Sequence, residues 1–186
     1  SVDSLIGLAK AVGTVTKVQG SENIYKVPFV FTIKNMGLTD LDNVQLRDTL
    51  DHTFLNANVI DSVGITADNG LVINPAFTGL GDKTDLLIAD ESSIAAGATL
   101  NVRMDVFVNM STSASNSFEN SATVYAGTDN VISDVSTDGT NPDPDNDGNP
   151  AHNSVPTLFT VGDGNPTYGI GAALSIIDSA FTNDGT

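Results

Sequence analysis

Between Tyr25 and Lys34, large apolar side chains fall on every second residue. Tyr25, Val27, Phe29, Phe31 and Ile33 alternate with Lys26, Pro28, Val30, Thr32 and Lys34. A strand turns successive side chains to opposite faces, so this period places the five large ones on one side of a sheet. Thr99 to Met110 repeats the pattern, with Leu100, Val102, Met104, Val106 and Val108 sharing a face. The second run is expected in the middle of a sheet. The first is expected at an edge, or bulged at Pro28, because proline has no amide N–H to give to a ladder.

Shorter runs complete an all-β reading. In Asn43 to Leu50, one face carries Val44, Leu46, Asp48 and Leu50. Asp48 is out of place there and is expected near a strand end, accepting bonds from loop amides rather than lying buried as an acid. Leu5 to Ala11 reads as a first strand or the start of a helix, with Gly7 allowing another backbone to come close. Brief strands are expected over 57–61, 71–74, 131–135 and 155–161. Phe118 to Ala126 follows the small polar segment Met110 to Ser117 and is expected to fold back on the strand before it as a hairpin. No helix-length amphipathic pattern occurs between Leu5 and Val135. Strand after strand with intervening turn signals predicts an immunoglobulin-like antiparallel β-sandwich of two sheets.

Composition narrows the partners. Seven basic residues against 23 acidic give a net charge of −16, which argues against nucleic acid or an anionic membrane, both of which need clustered Lys and Arg. Without cysteine the chain has no disulfide, thiolate metal site or cysteine nucleophile. No apolar run is long enough for a membrane span, so membrane insertion is not expected.

Charge concentrates in residues 134–150, DVSTDGTNPDPDNDGNP. Asp143, Asp145 and Asp147 are spaced two apart and followed by Gly148, the order in which a calcium loop presents its first oxygen ligands and its sharp turn. Ser154 stands at the twelfth position, where such a loop usually carries a bidentate Glu, so the remaining oxygens would come from Asp138, the Asn149 carbonyl, Asp134 or Asn141. Ca²⁺ is the cation expected, with affinity of roughly 10⁻⁴ to 10⁻³ M, as in extracellular modules. The alternative is a solvated acidic linker stiffened by Pro142, Pro144 and Pro150.

Catalytic signals are sparse, and an enzyme is not expected. His52 and His152 stand in no metal-binding or nucleophile-activating pattern and read as surface residues. The Ser- and Thr-rich segment reads as a small hairpin tip or an adhesive loop, and Asn109 opens a glycosylation sequon. Lys10, on the first strand, and Asn120, on a late one, have the chemistry to form an intramolecular isopeptide bond, although ordinary surface positions are the expected reading for both.

Several phrases together resemble one family. IGLAKAVGTVT, YKVPFVFTIKNMGLTDLDNVQLRDTL, NSATVYAGT and the acidic loop followed by NSVPTLFTV look like successive landmarks of the DUF11-type immunoglobulin-like repeat of large bacterial surface proteins, over roughly residues 5–161. GSENIY departs from the family's usual turn before the long strand. The resemblance implies a secreted or cell-surface setting and tandem repetition. Residues 1–161 would then be one repeat, and residues 162–186 a linker and the opening of the next, since YGIGAALSIIDSAF echoes the first strand. Docking of that tail on its own domain, or its donation as a strand to an identical subunit, are the alternatives. The function expected is that of a structural spacer in an adhesin or filament, partnered by neighbouring repeats and through them by a host or substratum surface. A self-assembling filament subunit and a carbohydrate- or surface-binding module are the rivals.

Overall fold

The computed structural model describes residues 3–55, 58–60 and 64–162. The main strands are β1 (Ile6–Val12), β2 (Ile24–Asn35), β3 (Gln45–Asp48), β4 (Asn58–Ile60), β5 (Ile65–Ala67), β6 (Thr99–Asn109), β7 (Ser117–Asn120), β8 (Ala122–Ala126), β9 (Ile132–Val135), β10 (Thr137–Asp138) and β11 (Thr157–Thr160). A short α-helical turn, α1, spans Leu50–Thr53. Ala57 and Asp61, the ends of one expected strand, lie outside the described residues, as does the tail reading beyond Gly162.

The first sheet runs β10, β1, β2, β6, with β4 and β5 both on the far side of β6. All its pairs are antiparallel except β1 with β10, where Ala9 and Lys10 lie beside Thr137 and Asp138. A second sheet runs β9, β8, β3, and β7 pairs separately with β11. The alternating faces of both layers meet in one core that includes Phe29, Phe31, Ile33, Val102, Met104, Leu46 and Val124. The sandwich expected from the strand periods is therefore the one observed.

Strand β2 is central, not an edge, and Pro28 is accommodated by a break in its neighbour. The β1 ladder stops at Val12 opposite Phe29, and pairing resumes only at Thr16 opposite Lys26. Three residues of one strand thus stand against two of the other, a bulge, where Gly13 N donates to Pro28 O at 2.8 Å. The ladder has no need of the N–H that proline lacks.

The expected hairpin between β6 and β7 does not form. β6 stays beside β2, whereas β7 and β8 pair with β11, β9 and β3. The polar segment after β6 is a crossover between layers. Both strands have one apolar face, and each buries it by contributing to a different side of the core.

Candidate functional site

Strand β1 lies where the layers meet, and its first five residues are all buried. Ile6, Leu8 and Lys10 share one face by the period of two, so the ammonium of Lys10 is carried into the core along with two aliphatic side chains. Parity does the same to Asp48 at the end of β3 and to Asn120 at the end of β7. Relative exposures are 0% for Lys10, 1% for Asp48 and 2% for Asn120. The surface positions expected for Lys10 and Asn120 are thus corrected. So is the expectation for Asp48: it does stand at a strand end, but it is buried and its partners are two core side chains.

The three side chains satisfy one another. Lys10 Nζ donates to Asp48 Oδ2 at 2.5 Å and to Asn120 Oδ1. Asn120 Nδ2 donates to Asp48 Oδ1 at 3.1 Å and to Thr53 Oγ1 at 2.8 Å. The Phe29 and Phe31 rings stand 4.2 and 4.9 Å from Lys10 Nζ, centroid to nitrogen. Phe29 continues into a cluster with Phe159, Phe54 and Phe118. Burial pushes the Lys10 amine below its ordinary range, and the Asp48 charge and hydrogen bond only partly oppose this. A recess of about 330 Å³, lined by Thr49, Thr53, Asn120 and Pro156 among others, opens beside the amide.

The acidic loop is folded onto the opposite face of β1 instead of extending into solvent. Pro142, Asp143 and Pro150 are buried. At Gly7 an added Cβ would stand 2.8 Å from Pro142 Cβ and 3.0 Å from Pro150 Cβ, so the close approach that this glycine permits is to proline rings. Asp143, Asp145 and Asp147 each offer a carboxylate oxygen within 4.8 Å of the others. Gly148 N donates to Asp143 Oδ2, Asn149 N to Asp147 Oδ1, and Asn153 Nδ2 to Asp145 Oδ1. The last of these bonds is the main reason that the Asp145 carboxyl is held below the usual carboxylate range. Asp143 Oδ1 is buried without a hydrogen-bond partner.

Of the other expected ligands, Asp138 stands on β10 beside Lys10 and is not part of this cluster. Asn149 caps the turn at Pro150–His152, its Oδ1 accepting from Ala151 N and its carbonyl from His152 N. Asn141 brackets Asp143 through two short-range bonds. Asp134 is turned away to the core, where its Oδ2 accepts from Leu8 N at 2.7 Å. His52 and His152 are exposed, as expected.

No protein-family model matches the chain, and no curated protein sequence matches it. Among the described residues, no helix is long and apolar enough to cross a membrane.

Proposed function

We propose that this chain is a structural spacer unit of a secreted or cell-surface bacterial adhesin or filament, one of a tandem series. The observation that carries the reading is the placement of the start of β1 and the end of β11 at opposite ends of the sandwich. The chain enters the sandwich beside the end of β2, where Met36 N donates to Leu5 O at 2.8 Å and Ile6 pairs with Asn35. Strand β11 leads on to Gly162, where an added Cβ would stand 3.8 Å from the Tyr25 hydroxyl, near the start of the same strand. The start of β1 and the end of β11 are thus separated by about the length of β2, 12 residues or roughly 36 Å. Units joined through such ends extend in line instead of folding back on themselves. The high negative charge favours the same outcome by repulsion along the array.

The acidic loop fits a hard cation by its all-oxygen donor set and by the unpartnered buried oxygen of Asp143. Ca²⁺ held by Asp143, Asp145 and Asp147 would fix the loop that precedes β11 and stiffen that end of the unit. Small-angle scattering from two copies joined head to tail tests the spacer reading. An elongated particle about twice the length of one copy is expected, and a pair packed side by side would contradict it.

A further inference from the structure

Lys10, Asp48 and Asn120 hold an amine, a carboxyl and a carboxamide in mutual contact, and a purely structural role explains that choice poorly. Aliphatic side chains would fill the same space without desolvating two charges. We propose that the chain joins Lys10 Nζ to Asn120 Cγ as an intramolecular amide, with Asp48 moving the protons and ammonia leaving. The proposal does not depend on whether the chain is a unit of a larger array.

Each requirement of the reaction has a residue. The nucleophile must be a neutral amine, and a site walled by Phe29 and Phe31 disfavours the charged pair relative to the neutral one. Proton transfer from Lys10 Nζ to Asp48 Oδ2, across their 2.5 Å contact, supplies that amine and a neutral carboxyl together. The electrophile is already placed, since Lys10 bonds the oxygen of the carboxamide whose carbon it attacks. The leaving nitrogen, Asn120 Nδ2, contacts the other oxygen of the same carboxylate. Asp48 therefore bridges the attacking and departing nitrogens, the position of a group that accepts a proton from one and delivers it to the other.

The atoms balance without an outside reactant. The Nζ lone pair forms the new N–C bond, and the carbonyl electrons move to Asn120 Oδ1. As they return, the bond from Cγ to Nδ2 breaks, and Nδ2 leaves as ammonia with a proton relayed by Asp48. The amine arrives with three protons and the carboxamide with two. Of these five, one remains on the new amide, three depart with ammonia and one stays on Asp48. The recess beside Asn120 gives ammonia a way out, and the burial of all three side chains limits competition by water for the carbonyl.

Intact-mass spectrometry of the purified chain, with peptide mapping, tests the proposal. The expected chain is lighter than its sequence by one ammonia, and digestion releases a branched peptide joining the segments that contain Lys10 and Asn120. Asn120→Asp keeps the shape of the site and loses water instead, so it should reach the same final mass. Asp48→Ala should retain the full mass. A folded native chain of full mass would overturn the proposal, with folding checked by amide exchange of the buried strands. So would an ammonia loss that mapping places elsewhere, for example at Asn69–Gly70 as a succinimide.

Discussion

Two groups of ionisable side chains lie on opposite faces of β1, and they obey opposite rules. Asp143, Asp145 and Asp147 are alike in charge, and two of the three are exposed. Water screens them, so their proximity costs little and an added cation would relieve what remains. Lys10 and Asp48, before any bond forms, are a basic and an acidic group shut away from water, so each is tolerable only because the other is present. A cluster of acids in solvent can exist for no reason beyond solubility. A buried amine in contact with a carboxyl and a carboxamide is held there by the whole fold.

The largest effect should come from unpairing the buried group. Asp48→Ala strands the Lys10 amine in the core, which costs about 3–5 kcal/mol. If the cross-link forms, the same variant also loses a bond closing a loop of 110 residues, worth about 4–5 kcal/mol by analogy with a disulfide. Thermal melts should therefore place Asp48→Ala roughly 10–30 °C below the native chain. Replacing Lys10, Asp48 and Asn120 together with Met, Leu and Leu separates the two contributions. It removes the desolvated charges as well as the bond, so it should melt well above Asp48→Ala.

The opposite face should respond more mildly. Gly7→Ala pushes a methyl group into Pro142 and Pro150 and should cost about 1–3 kcal/mol, seen as a lower denaturant midpoint, while leaving the mass of the chain unchanged. Excess Ca²⁺ at roughly ten times its dissociation constant should add about 1.4 kcal/mol of stability. Asp143→Ala with Asp145→Ala should abolish that gain. Coincident melts with Ca²⁺ and with chelator would instead make the loop a structural cover for β1 and nothing more.

The smallest effect concerns Asp134, whose Oδ2 accepts from Leu8 N on β1. Burial raises its carboxyl to about 6 against the lowering bonds from the Leu8 and Val135 amides. Because the folded state holds this proton more tightly than the unfolded chain does, its contribution favours folding below about pH 4 and is lost as pH rises through about 6. Asp134→Asn should remove that slope and stabilise the chain at neutral pH by on the order of 1 kcal/mol, measured as midpoints across pH.

The strands were legible in the sequence because period two survives any tertiary context, as in β2 and β6. The acidic loop was legible because its residues are neighbours in the chain. The buried group was not, although each member left a trace. Lys10 follows Ile6 and Leu8 in parity, Asp48 follows Val44 and Leu46, and Asn120 follows Phe118. Three isolated polar residues on apolar faces become one site only when β1, β3 and β7 are brought together. That arrangement follows from the crossover after β6, which a hairpin reading of the polar segment concealed. Pro28 was legible as well: its missing N–H called for an edge or a bulge, and the bulge is what forms, through a break in the partner strand that leaves β2 central.

The most direct measurement of the central claim is the contour length released when one molecule is pulled apart by its two ends. If Lys10 and Asn120 are joined, the span between them, 110 positions apart in sequence, cannot extend, and the released length falls short of the full chain by roughly 360–400 Å. Release of the full length from the native chain would show that the buried group is held by hydrogen bonds and charge alone.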